Sequence, residues 1–419
     1  MIWQGHAPFS SLRLLLSSGA CLLYKVNLTC LFMINGLGMG NSTRCHAVIE
    51  RLAEAGCRVH VLTSGNGLTY FQGKECVESL TPMDSFFYSG KNGGISGWST
   101  LKSVRRLALI ARSKRAQLEQ LLDRVRPDIA VIDSEYAIAP LRRRRIPIVG
   151  LNTSEMIATE YLKCRKPAAG TRSHFWFVEF SDYLFHRHFC DLVLSPYPVR
   201  SIARHRKFRR IGLIVRSCIL QHVRQTAATK FPSPRELRRV VFMLSGSVHA
   251  SNIRFEGRQF PFKIDVVGRP GQSSGNVTFH GRQMNNVELL TQADALVING
   301  GYSAVSEVFA LRKPVFVVPV PGHAEQFVNA NLVQELGLGF MATEQNVLEQ
   351  LLNMHQENRW VGLKAMPDAF EIDGAREAAS AILSFPESIR TPKPAKNSVP
   401  VLVPGEITRI SHAGASREL

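Results

Sequence analysis

The residues best placed to do chemistry in this 419-residue chain lie between Asn299 and Gln326. The first group is Asn299-Gly300-Gly301-Tyr302-Ser303-Ala304-Val305-Ser306-Glu307. It follows an apolar run, Ala295 to Ile298, that reads as a strand. Two glycines after a strand let backbone approach a ligand. A helix opening near Ser303 aims its free N–H groups and the positive end of its dipole at the same place. A diphosphate suits that position. Val305, Val308 and Phe309 share one helical face, which leaves Glu307 roughly opposite and able to face a cleft. A carboxylate there accepts hydrogen bonds from the vicinal hydroxyls of a ribose. A plain helix start with a solvated glutamate explains the same residues, because a Gly-Gly turn alone is a weak signal.

The second group is Val318-Pro319-Val320-Pro321-Gly322-His323-Ala324-Glu325-Gln326, with Asn329 one turn later. It ends a strand and opens another helix, and its two prolines stiffen the loop. A carboxylate beside an amide both accepts from and donates to sugar hydroxyls. Taken alone, His323 reads as an ordinary loop histidine. A third glycine turn lies near the start: Gly36-Leu37-Gly38-Met39-Gly40-Asn41-Ser42-Thr43-Arg44.

These segments need elements to hold them. Val26 to Ile34 reads as a buried strand before the first turn. Cys45, Val48, Ile49 and Leu52 then fall at helical spacing, and Gly56 closes that helix. Arg58 to Leu62 is the next strand, so the chain opens as a Rossmann-like unit. Further strands are expected at Ile129 to Ile132, ending at Asp133, at Ile146 to Leu151, at Asp191 to Leu194 and at Ile211 to Val215. A long basic amphipathic helix is expected over Leu101 to Val125. Gln221 to Pro234 lacks periodicity and holds Pro232 and Pro234, which marks a linker. The pattern restarts with strands at Val240 to Leu244, Phe262 to Val267, Val277 to Phe279, Ala295 to Ile298 and Val315 to Val318. Helices fall at Val287 to Gln292, Ser303 to Leu311 and Gln326 to Leu336. The expected class is α/β: two Rossmann-like domains facing across a cleft, the first over 25–225 and the second over 235–385. Residues 1–24 read as an unstructured extension and 386–419 as a disordered tail.

The formal charge of +18 and pI of about 9.9 favour anionic partners. Basic residues cluster at Arg142 to Arg145 and at Arg204, Arg206, Lys207, Arg209 and Arg210. Neither cluster carries an aromatic-rich nucleic-acid motif or a Cys/His finger, so an anionic membrane surface or lipid phosphate is preferred over nucleic acid. The eight cysteines form no CxxC pair or zinc-ligand spacing, which fits a reducing cytoplasm. No stretch reaches the roughly 20 apolar residues of a spanning helix. Residues Arg13 to Leu23 loosely imitate a signal peptide, but Ser17, Ser18 and Gly19 break its apolar run.

Together, the Asn299–Gln326 segments resemble the donor-binding signature of glycosyltransferase family 28. That family includes a bacterial peptidoglycan-precursor N-acetylglucosaminyltransferase and plant galactolipid synthases. The likeness rests on the Gly-Gly turn, the Ser306-Glu307 pair, Lys313-Pro314, the Val-Pro strand end, Glu325-Gln326 and Asn329-Ala330. It is tight over about 40 residues and loose over the second half. The resemblance implies the GT-B fold and a nucleotide-sugar donor, most simply UDP-linked. It also implies ribose binding by Glu307 and sugar binding by Glu325 and Gln326. Gly300, Gly301, Ser303 and His323 complete that donor set, and Ser245-Gly246-Ser247 resembles the family's other phosphate-facing loop. Gly38, Gly40 and Arg44 fall on the acceptor side.

One departure matters. Relatives place a histidine where this chain has Asn41, and an amide has no useful pKa for general-base work. Asp133, at the end of a first-half strand, is the candidate base, with Glu135 a weaker one and Asn41 in a positioning role. A capping aspartate explains Asp133 equally well. The implied reaction is inverting displacement onto a lipid or glycan acceptor. No Asp-x-Asp metal motif occurs, and neither metal nor cofactor is expected. A UDP-sugar epimerase of the same fold and a nucleotide-sugar-binding protein with impaired catalysis are the competing readings. The expected location is the cytoplasm, peripheral on the inner face of the plasma membrane.

Overall fold

A computed structural model describes residues 27–36, 38–83, 112–198, 201–203, 205–226, 237–244, 253–283, 285–357 and 372–390. Two parallel sheets organise it. The first takes strands β1 (Thr29–Ile34), β2 (Arg58–Thr63), β3 (Ser79–Pro82), β4 (Ile129–Asp133), β5 (Ile148–Leu151), β6 (Leu192–Pro196) and β7 (Phe208–Ile211). Their order is β3-β2-β1-β4-β5-β6-β7. The second takes β8 (Arg239–Met243), β9 (Lys263–Val267), β10 (Val277–Gly281), β11 (Ala295–Ile298), β12 (Val315–Val317) and β13 (Gly339–Met341), in the order β10-β9-β8-β11-β12-β13. Every pairing between these strands is parallel. Central strands such as β1 and β4 are buried along their whole length, as the unbroken apolar runs demand.

Strand order reverses between β1 and β4 in one sheet and between β8 and β11 in the other. A crevice opens beyond the carboxyl ends of the strands at such a switch point. The first glycine turn leaves β1 there and leads into α1 (Met39–Glu54). The second leaves β11 and leads into α10 (Tyr302–Leu311). Helix α11 (Ala324–Glu335) follows β12, and its first turn carries Glu325 and Gln326. Gly56 ends α1 with φ +87°, the left-handed geometry expected of a terminating glycine.

Three expectations need correction. The last strand of the first sheet is Phe208–Ile211, not 211–215. Phe208 and Ile211 turn inward, and the apolar Leu213, Ile214 and Val215 are buried where the chain passes towards the second half, not in a ladder. The expected linker at Gln221 is helical: α8 runs Ser217–Thr226, with Ile219, Leu220 and Val223 in the same apolar cluster as second-half residues. The tail expected from Pro386 is helical to Arg390, at the end of α13 (Gly374–Arg390). That helix returns to the first half, where Ala375, Ala378, Ala379, Ala381 and Ile382 join the core around β1 and α1. Alanine buries little area per residue, so it left a weak apolar signal for a helix that crosses back. The expected helix over 101–125 is described from residue 112, and the first part of it lies outside the described residues, as do 1–24 and 391–419.

The halves share apolar packing. Met156, Ile157 and Tyr161 of α5 (Ser154–Lys163) and Phe175 bury against Phe327 and Val328 of α11. The Tyr161 and Phe175 rings stack with centroids 3.9 Å apart, and Phe327 meets Tyr161 edge-on at 6.4 Å. Each fully buried aromatic contributes on the order of 1.5–3 kcal/mol, which ties the two sheets together along this seam.

Candidate active site

The N-termini of α1 and α10 meet between the sheets. Ser303 donates its hydroxyl to the Gly40 carbonyl at 2.9 Å. A Cβ on Gly40 would stand 3.4 Å from the Ser303 Oγ, so the glycine permits a close approach. The Arg44 guanidinium lies 5.4 Å from the centroid of the Tyr302 ring, whose hydroxyl accepts the Ile214 N–H at 3.0 Å. Gly40, Arg44, Tyr302 and Ser303 therefore line one contact between halves.

The two glycines after β11 have different jobs. A Cβ on Gly300 would fall 2.4 Å from the Gln326 carbonyl oxygen, so Gly300 lets α11 begin against the turn. Asn329 strengthens that contact by donating Nδ2 to the Gly300 carbonyl at 2.7 Å. A Cβ on Gly301 meets no described atom within 4 Å, and the same holds for Gly38. Those two positions have the open side that a ligand needs. The Gln326 side chain accepts the Val320 N–H at 2.9 Å, and Asn299 donates to the Val318 carbonyl at 3.0 Å. Both amides thus fasten the proline loop. Ser245, Gly246 and Ser247 lie outside the described residues.

Asp133, the expected base, is committed to an ion pair. Its carboxylate is fully buried and takes a bidentate fork from Arg44, Nη2 to Oδ1 at 2.7 Å and Nε to Oδ2 at 3.0 Å. Cys45 Sγ and Ser134 Oγ add contacts at 3.3 Å each. Arg44 is equally committed: its Nη2 also donates to Asn41 Oδ1 at 3.2 Å. Asn41 thereby positions Arg44 and bonds back to the Asn35 carbonyl at 3.4 Å. Glu135 is likewise buried and held by Lys114 Nζ at 3.1 Å.

Glu307 sits on α10 as expected, yet it is buried and not free. Arg216 grips it with Nε at 2.5 Å and Nη2 at 2.8 Å, and the same Nη2 reaches Asn286 Oδ1 at 2.7 Å. Arg216 comes from the stretch between β7 and α8, so the carboxylate expected to hold a ribose is anchored across the boundary between halves.

A cluster that sequence reasoning missed lies beside Glu325. Helix α6 (Thr171–His174) passes into a π-helical turn, Phe175–Glu179, and then into α7 (Phe180–Phe189). His174 precedes that turn and Glu179 ends it, with His174 Nδ1 3.5 Å from Glu179 Oε1. The His174 ring lies 4.6 Å from the His323 ring, centroid to centroid. Glu179 accepts the backbone N–H of Glu325, so a first-half carboxyl caps the start of α11. Glu325 in turn accepts the backbone N–H of Tyr302 at the start of α10. Burial, reinforced by the neighbouring Glu325 charge, pushes the Glu179 carboxyl well above the usual range. Burial raises Glu325 too, against the pull of Arg44. Burial, with His323 alongside, lowers the His174 pKa, so its imidazole is neutral near pH 7. π-turns gather at functional sites but leave no residue signature, which is why the segment was silent in the sequence.

His174 and His323 line an open pocket of about 430 Å³ with Gly170, Phe177, Pro321 and Gly322. Phe177 on its rim is 81% exposed, and Trp176 and Val178 are roughly half exposed. The ligand atoms of His174, Glu179 and His323 lie within 4.8 Å of one another. Among the described residues no helix is long and apolar enough to cross a membrane.

The sequence profile described as glycosyl transferase family 1 matches residues 28–355. The chain is similar to the UDP-N-acetylglucosamine–N-acetylmuramyl-(pentapeptide) pyrophosphoryl-undecaprenol N-acetylglucosamine transferase of Clostridium perfringens, 20% identical over 344 residues, 77% of this chain and 87% of that one. Its fold is similar to that of Acinetobacter baumannii MurG, with a TM-score of 0.53, 14% identity and coverage of 85% of this chain and 99% of that one. The UDP-GlcNAc 2-epimerase of Neisseria meningitidis shares the fold equally, with a TM-score of 0.54, 12% identity and coverage of 85% and 99%. Two parallel sheets meeting at their switch points, with a family profile spanning both, make this chain a member of glycosyl transferase family 1 and a glycosyltransferase of the GT-B type.

Proposed function

We propose that the protein moves a hexose or N-acetylhexosamine from a nucleoside diphosphate sugar, with UDP as the nucleotide, to an acceptor bearing an apolar chain, inverting the anomeric centre without a metal. The observation that carries this reading is the meeting of two helix N-termini, α1 and α10, at open glycines Gly38 and Gly301 on the two switch points. A diphosphate placed there faces two positive dipole ends, which offset the charge of the departing nucleotide. The exposed Trp176, Phe177 and Val178 beside the pocket suit an apolar acceptor chain, and the basic excess suits its phosphate or an anionic membrane face. The Clostridium relative's name specifies a UDP-N-acetylglucosamine donor and an undecaprenol-linked acceptor, which fits both features. The protein then works on the cytoplasmic face of the plasma membrane.

A thermal-shift panel of nucleotide sugars tests the donor half, with mass spectrometry of co-purifying nucleotide as a check. UDP-N-acetylglucosamine should stabilise the fold, and transfer should survive a chelator. A panel without any shift would sink the donor site. The epimerase reading is the second one, favoured by the two carboxylates and two histidines gathered at His174, Glu179, His323 and Glu325. NMR of the donor incubated without acceptor separates them, since an epimerase inverts the sugar and leaves the diphosphate bond intact. Donor binding with neither outcome points to the impaired binder, which Asn41 keeps in view.

A further inference from the structure

With Asp133 and Glu135 locked in ion pairs and Asn41 unable to titrate, the proton of the acceptor hydroxyl needs another destination. We propose that His174 is the general base of this transferase and that Glu179 is the residue positioning its imidazole. The inference rests on the transferase reading and adds to it the group that does the proton chemistry.

Three features support it. His174 lines the open pocket beside the donor loop, at Gly322 and His323. It is linked to the donor helix through Glu325, which touches both its field and the Tyr302 N–H at the start of α10. The groups facing it are Glu179 from the π-turn, and His323 and Glu325 from the start of α11. A histidine whose ring is steadied by a neighbouring acid, with a low pKa, is neutral at working pH and ready to accept. The step balances. The acceptor oxygen attacks the anomeric carbon and gives its proton to the His174 ring. The bond from that carbon to the diphosphate oxygen breaks, and the nucleotide leaves with the electron pair. His174 later returns the proton to solvent.

The bland alternative is that His174 and Glu179 only cap α11, since the Ala324 N–H lies 3.5 Å from His174 Nδ1. His174→Asn and Glu179→Gln separate the two. UDP-N-acetylglucosamine binding is read by thermal shift. Turnover is read as UDP release with an alkyl β-glucoside acceptor, between pH 5 and 9. The wild type should lose kcat/KM below the His174 pKa, which lies under the ordinary histidine value of about 6.5. His174→Asn should bind donor normally, lose about 10²–10⁴-fold in kcat/KM and lose that acid limb. Added imidazole should restore part of the rate to His174→Gly. Glu179→Gln should move the limb and cut the rate less. Undiminished turnover in His174→Asn overturns the proposal, as does loss of donor binding in step with turnover, or an acid limb abolished by His323→Asn instead. A wild type that binds no donor counts against the transferase reading, whereas donor binding and turnover that ignore His174 count against this inference alone.

Discussion

Arg44 holds Asp133 in a two-pronged buried ion pair, 2.7 Å and 3.0 Å long, with the guanidinium 5% exposed and the carboxylate 0%. The pair joins α1 to the end of β4 and places Arg44 under the Tyr302 ring of the other half. Removing one partner leaves the other charge buried and alone. Asp133→Asn is therefore expected to cost about 3–5 kcal/mol of stability, measured by urea unfolding. Whatever protein remains folded should keep its pH–rate profile. A stable Asp133→Asn enzyme without turnover would return Asp133 to catalysis.

Gly300 and Gly301 are neighbours with opposite expectations. Gly300→Ala drives a methyl group into the Gln326 carbonyl, where 2.4 Å is far inside contact distance. Overpacking of that kind costs about 1–3 kcal/mol, and it should displace Glu325 and Gln326 together. Gly301→Ala meets open space and has an ordinary φ of −66°. Its melting temperature should hardly move, while its affinity for UDP falls by about tenfold or more if the diphosphate backbone approaches there, a loss of about 1.4 kcal/mol or more. Calorimetry on both variants checks the contrast, and unchanged UDP affinity in Gly301→Ala would remove the turn from the donor site.

The fold was legible wherever a strand was buried on both faces or a helix had bulky apolar spacing. Ala295–Ile298 and Val287–Gln292 fall where the residues place them, and the Gly-Gly turn does open a helix. Legibility failed where partners are distant in sequence. Nothing near Asp133 announces Arg44, 89 residues away, and nothing near Glu307 announces Arg216, 91 residues away. Residue types named the groups able to do chemistry, but pairing decided which of them are still available. His174 was missed for the same reason and one more: its neighbours in the site come from α11, and its own segment has no period to read.

The Glu307–Arg216 pair sets up a competition. If a ribose binds Glu307, it must share or replace the grip of Arg216. Glu307→Ala should weaken UDP binding by about 10- to 100-fold, the worth of hydrogen bonds to a charged group at roughly 1.5–3 kcal/mol. Arg216→Ala frees the carboxylate but strands it in a buried place. It should lower the melting temperature, and saturating UDP should recover more of that loss than it adds to the wild type. Equal ligand-induced shifts in the two proteins would show that the ribose never reaches Glu307.

Glu179 makes stability depend on pH in an unusual direction. Its folded pKa is raised, because burial and the nearby Glu325 disfavour its charge. The folded state therefore holds a proton that the unfolded chain releases at about 4.5. Such a group stabilises fully below the unfolded value, and its contribution is lost as pH rises through the folded one. Glu179→Gln keeps the shape and never ionises, so it removes this loss. The variant should gain on the wild type steadily from pH 5 to pH 8 in urea unfolding. At pH 4.5 the two should be nearly equal. Parallel curves across that range would mean that Glu179 is charged in the folded protein. A charged carboxylate capping α11 would then hold His174 as an ion-pair partner, and the acid limb of the rate profile would move up in pH instead of down.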